Sequence, residues 1–156
     1  YIPWMRDLYN NGEEHWTTTN LFVNANYPLF VNNMVPEFAN HKVVMVCSEN
    51  ANIQTLPFDV VKDFRVGRNC IVNDHHLIDE MCEWVQNNDI QDHVFLFSAS
   101  SLSEILIHEL FNIAEKNTYI DIGTTLHKWA DLSLERDYLK AYWLGHPLGD
   151  IYKSCG

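Results

Sequence analysis

The sequence predicts an α/β fold, a Rossmann-like three-layer sandwich with a mainly parallel sheet, on three observations. Short runs such as VVMVC (43–47) and VFLF (94–97) are wholly apolar rather than alternating, which suits strands covered on both faces, as parallel strands are. Between such runs lie stretches with apolar residues at helical spacing, about 10–15 residues long. Finally, DHVFLFSASSLSEILIHELFNIAEKN followed by TYIDIG reads as strand, small-residue turn, helix and strand, which is one βαβ unit.

Residues 1–25 form an irregular, aromatic-rich lead-in. From Tyr27 to Phe38 the spacing predicts a helix with Leu29, Phe30, Met34 and Val35 on one side. HKVVMVCSEN is the first strand. The segment from Leu56 to Phe64 reads as a short helix, Asn69 to Val72 as the second strand, and His76 to Val85 as a helix with Leu77, Ile78, Met81 and Trp84 inward. Val94 to Phe97 is the third strand. The helix after it opens on Ser101-x-x-Glu104, the spacing of a capping box, in which the two side chains satisfy each other's free N–H groups. TYIDIG is the fourth strand, and residues 126–156 supply a C-terminal helix, around Ser133 to Tyr142, and a loop with Gly145, Pro147 and Gly149. Residues 1–156 read as a single domain without internal repeats.

The chain has 156 residues, 47% of them hydrophobic, enough for a core without metal or disulfide. Its 10 Lys+Arg against 21 Asp+Glu give a net charge of -11, which repels phosphate backbones, so neither nucleic acid nor an anionic membrane is an expected partner. No apolar run approaches the roughly 18 residues that a membrane span needs. Cys47, Cys70, Cys82 and Cys155 show no CxxC pairing and read as reduced structural thiols, and no Asn-x-Ser/Thr sequon occurs, so a cytoplasmic location is expected. The chain starts at Tyr1, inside what reads as an ordered segment, and is expected to be a larger fold lacking its first strand. Trp4, Trp16, Trp129, Tyr142 and Trp143 read as exposed, and an aromatic cluster outside a core would suit a non-catalytic interaction module.

In open α/β sheets, ligands bind beyond the carboxyl ends of the strands. That rule selects Ser48, Glu49 and Asn50, then Asn73 to His76, then Ser98, Ala99, Ser100 and Ser101, and last Asp121, Gly123, Thr124 and Thr125. In the serine turn, hydroxyls and the free N–H groups of a helix N-terminus favour an anion such as a diphosphate. The competing reading is that Ser101 only caps its helix. Asp121, at a strand end before a glycine, could meet a metal or a sugar hydroxyl, or could cap its own turn. Asp74-His75-His76 resembles the metal-binding triplet of DHH phosphoesterases, but the chain has no Asp-x-Asp motif to complete that site. There is no G-x-G-x-x-G, P-loop or G-x-S-x-G, and no NAD, pyridoxal phosphate or haem is expected.

Three stretches together, FLFSASSLSEILIHEL, YIDIGTTLHKW and SLERDY, resemble the C-terminal part of GT-D-type glycosyltransferase domains found in bacterial surface-polysaccharide and large-virus glycan gene sets. NLFVNANYPLF and KVVMVCSENA fit that group's upstream order, so the resemblance runs from Asn20 to Tyr138. It implies transfer of a sugar from a UDP- or GDP-type donor to a glycan acceptor hydroxyl. Ser48, Ser98, Ala99, Ser100 and Ser101 would face the diphosphate, and Asp121, Gly123 and Thr124 would floor the donor pocket. Arg136 would approach the phosphates or the acceptor. Ser100 stands where the group commonly has glycine, which argues against an exceptional backbone angle there. Thr125-Leu126-His127-Lys128 stands where related domains have an acidic residue or an Asp-x-Glu pair. His127 could then hold a metal, Mn or Mg, or Lys128 could stabilise the leaving diphosphate without one. Asp121, Asp74 and His127, in that order, are the candidates for general base. A homo-oligomer or neighbouring domains are further candidate partners.

Overall fold

The computed structural model describes residues 21–147, so Trp4, Trp16, Gly149 and Cys155 lie outside the described residues. The first element, α1 (24–40), is helical throughout but changes pitch along its length. Proline at 36 has no N–H, and its ring crowds the carbonyl of Asn32. One wide turn, Phe30–Met34, with Val35 N–H donating to Phe30 O, absorbs that defect. Strand β1 (Lys42–Ser48) follows, then β2 (Val60–Val66), α2 (Cys70–Asn73), α3 (Leu77–Asn87), β3 (His93–Phe97), α4 (Ser101–Ile113), β4 (Thr118–Asp121) and α5 (Asp137–Leu144).

All four strands are parallel, in the order β2-β1-β3-β4. Val43, Met45 and Cys47 of β1, with Val94 and Leu96 of β3, face a layer made by α1, α5 and the loops around Leu56 and Leu126. The neighbouring side chains Val44, Val46, Phe95 and Phe97 face the opposite way, onto Met81 and Val85 of α3 and Leu102, Leu106 and Leu110 of α4. Both faces are covered, and so the two central strands are apolar at every inner position. The connection from β1 to β2 runs over the α1 face, while those through α3 and α4 run the other way across the other face. All three crossovers therefore have the same hand.

Two expected elements are corrected. Leu56 to Phe64 is not a helix: its last five residues open β2, and Asn69 to Val72, expected as a strand, passes into α2. The cause is a bulge. Val43 pairs with Val60 but Val44 with Lys62, leaving Val61 extra. As a result Val60 faces the α1 layer while Phe64 and Val66 face α3 and α4, and the period-2 signal breaks within one strand. The expected helix from Ser133 starts only at Asp137, because Arg136 is extended at φ -73, ψ 138.

The buried Tyr27 ties α1, α5 and the loop after β4 together within their layer. Its hydroxyl donates to Thr125 O at 2.8 Å and accepts from Trp143 Nε1 at 3.0 Å, and burial raises its phenol pKa. Trp129 and Trp143, edge-to-face at 5.1 Å, are half-buried against the core and not exposed as expected, whereas Tyr142 packs an edge on Tyr27 and remains exposed. Cys47, Cys70 and Cys82 are free thiols. Among the described residues no helix is long and apolar enough to cross a membrane.

Candidate functional site

Chains leave β1 and β3 in opposite directions, toward β2 and toward β4, so a crevice opens between their carboxyl ends. A cleft of about 280 Å³ lies there, lined by Ser48, Gly67, Asn69, Ser98, Ala99 and Ser100, with Cys70 and Ile71 as a wall. The turn that forms it is pinned from both strands. Ser98 N–H donates to Val46 O at 2.8 Å, and Glu49 N–H donates to Val66 O at 2.9 Å. Cys70 Sγ donates to Ala99 O at 3.1 Å, holding α2 against the serine turn.

The expected Ser101/Glu104 capping box does not form. Ser100 occupies the cap position without a side-chain bond, and the buried Ser103 reaches back instead, its Oγ accepting Ala99 N–H at 3.1 Å. This leaves the N–H groups of Ser100 and Ser101 without an acceptor among the described residues, where the helix dipole favours negative charge. Ser100 itself has φ 52 and ψ -142, a region in which glycine alone is comfortable. The exceptional angle is thus present although the residue is serine. Ser100→Gly is expected to stabilise the protein by about 1 kcal/mol, read as a higher melting temperature. A lower one would mean that the hydroxyl holds the turn more strongly than the backbone opposes it.

Two carboxylates stand beside Gly67 without lining the cleft themselves. Glu49 Oε1 and Asp74 Oδ2 each lie 3.7 Å from where a Cβ on Gly67 would stand. Asp74 is committed, since its Oδ2 accepts Gly67 N–H at 2.8 Å, and His75 and His76 are exposed at the start of α3. Among the described residues no three His, Cys, Asp or Glu side chains are grouped to hold a metal ion.

Asp121 ends β4 and accepts Gly123 N–H at 3.0 Å through Oδ1, the local turn cap foreseen as its alternative role. The residue is exposed overall, yet packing around its carboxyl raises its pKa; the Gly123 bond opposes this and Glu104 adds to it. A carboxyl whose folded pKa lies above its unfolded value contributes stability at low pH that is lost as pH rises through the folded pKa. Asp121→Asn, which keeps an oxygen for Gly123, is therefore expected to melt above the wild type at pH 7 and level with it near pH 3. An equal difference at both values would show that charge is not the cause.

Beyond β4 a second cleft, about 380 Å³, is lined by Thr124, His127, Ser133, Glu135 and Arg136. The expected site residues are thus divided: Ser48, Ser98, Ala99 and Ser100 meet in the first cleft, and Thr124, His127 and Arg136 in the second. Asp74, Ser101, Asp121, Gly123 and Lys128 line neither of them. Gly67, Asn69, Cys70 and Ile71 were not foreseen as site residues, although a glycine and an asparagine directly after VVKDFRV are turn signals that could have marked a strand end there. Comparison with protein-family models, curated proteins and solved structures finds no match for the chain.

Proposed function

We propose that this chain is a glycosyltransferase domain that binds the diphosphate of a UDP- or GDP-type sugar donor in the cleft at Ser48 and Ser98–Ser100. One observation carries the reading: the unpaired N–H groups at the start of α4 open onto a crevice at the strand-order switch, beside a turn of small side chains. Backbone donors fixed in that way bind an oxyanion without a cluster of cations, which suits a chain of net charge -11. At about 280 Å³ the cleft lies just below the usual range for ligand pockets, roughly 300–1,000 Å³. That volume suits the diphosphate and part of the ribose of a donor, with Glu49 outside the lining but beside Gly67 at its edge.

In the reaction an acceptor hydroxyl attacks the anomeric carbon, its proton passes to a base, and the diphosphate leaves with the electron pair of the broken bond. His127 now ranks before Asp121 and Asp74 as that base. Both carboxylates already accept backbone N–H groups, whereas His127 Nδ1 lies 3.0 Å from Ser133 O. A carbonyl cannot donate, so Nδ1 carries the hydrogen, and in the neutral imidazole Nε2 is then the proton acceptor. Arg136 and Lys128 do not line the first cleft, so the helix end supports the leaving group; added Mn or Mg would neutralise it further. Titration with UDP, GDP and their sugars, with and without manganese, is expected to raise the melting temperature. No shift with any nucleotide would refute the proposal.

A further inference from the structure

The second cleft is built to a different chemical pattern. Two short segments wall it, the turn after β4 and the extended lead-in to α5, and hydrogen bonds fix their spacing. His127 Nδ1 donates to Ser133 O at 3.0 Å, Leu132 N–H donates to His127 O at 2.9 Å, and the hydroxyls of Thr124 and Tyr138 meet at 2.7 Å. A cavity held open by its own hydrogen bonds spends little ordering entropy on a ligand.

Its one guanidinium is unspent. Arg136 lines the cavity, and its side chain makes no ion pair or hydrogen bond among the described residues, although it stands between Glu135 and Asp137. Asp137 pairs with Lys140 at 4.0 Å, and Glu135 accepts from Ser133 Oγ at 3.3 Å. The planar fork of an arginine matches an oxyanion through two parallel bonds. A carboxylate spends both of its oxygens on that fork, whereas a phosphate leaves a third anionic oxygen in the cavity that Glu135 also lines, where like charges repel. The remaining groups, Nε2 of the neutral His127 ring and the second carboxylate oxygen of Glu135, are acceptors and suit hydroxyl donors.

We infer that this cavity binds a carboxylate-bearing monosaccharide of the uronic acid type, its carboxylate on Arg136 and its ring hydroxyls on His127 and Glu135. As an acceptor site for sugar transfer it rests on the function proposed above; as a binding site it does not. The inference can be tested by titrating the full chain with glucuronate, glucose and glucose 6-phosphate, followed by melting temperature and by the NMR signal of the Arg136 Nε–H group. Glucuronate is expected to move both readouts and to bind at least tenfold tighter than either of the others. Arg136→Gln is expected to remove that preference, and Arg136→Lys, which keeps the charge but loses the fork, to reduce it. Equal binding of glucose, tighter binding of glucose 6-phosphate, or an undiminished preference in Arg136→Gln would overturn the inference. A response to nucleotides without one to glucuronate would overturn this site alone. The converse result would leave the site in place and refute its role as an acceptor site.

Discussion

Phe95→Ala is expected to destabilise the protein by about 3–5 kcal/mol, the range for removing a large aromatic side chain from a close-packed interior. Phe95 is fully buried in β3, and its ring lies 5.0 Å from Tyr119, 6.4 Å from Phe97 and 6.4 Å from Trp84. It therefore joins β3 and β4 to α3 on the face where α3 and α4 pack. Alanine would leave a void that the surrounding rings cannot fill without leaving their rotamers, and the lost contacts add to the lost burial. Against a total stability of about 5–15 kcal/mol the loss is large. Urea denaturation measures it, and Phe111→Ala provides the control, since Phe111 is 53% exposed and its truncation is expected to cost less than about 1 kcal/mol. A cost below about 1 kcal/mol at Phe95 would contradict a close-packed layer there.

The same packing explains which parts of the fold could be read from residues alone. Strands β1 and β3 are buried on both faces, so their apolar runs are unmistakable, and α3 and α4 show the helical spacing of elements with one face on the sheet. Strand β2 was not legible. It lies at the sheet edge, carries Lys62, Asp63 and Arg65, and changes face at the Val61 bulge, so neither an apolar run nor alternation marks it. That error reached the site, because misplacing β2 hid Gly67 and Asn69 at its end. Ser48 and Ser98–Ser100 were legible because a strand end followed by small polar residues is a local signal. Asp74 was not, because what decides its role is a hydrogen bond to Gly67, seven residues back across a loop. The backbone angle of Ser100 was also hidden: a serine gives no notice of a conformation imposed by the turn around it.

Arg65→Leu is the substitution expected to connect stability with ligand binding. Arg65 stands opposite Cys47 on the β2 side of the sheet, and its Nη1 donates to Ala51 O at 2.6 Å and to Ser48 O at 3.2 Å while Nε pairs with Asp63. One side chain thus fastens the loop that leaves β1, the loop that carries Ser48 into the first cleft. A hydrogen bond from a charged donor contributes about 1.5–3 kcal/mol when buried. The side chain is 32% exposed, and solvent screening reduces that figure, so the expected cost of losing both bonds is about 2 kcal/mol. Leucine fills part of the space but leaves Ala51 O and the Asp63 carboxylate without this donor and Ser48 O with the Ala51 N–H alone. Hydrogen exchange at the Glu49 and Ala51 amides, which donate to Val66 O and Ser48 O, is expected to accelerate before the rest of the sheet opens. Any nucleotide bound at Ser48 is expected to bind about tenfold more weakly, because a loop free to move must be ordered again on binding. Unchanged protection at Glu49 and Ala51 would show that β1 and β2 position the loop without Arg65, and the link from this edge strand to the cleft would then be lost.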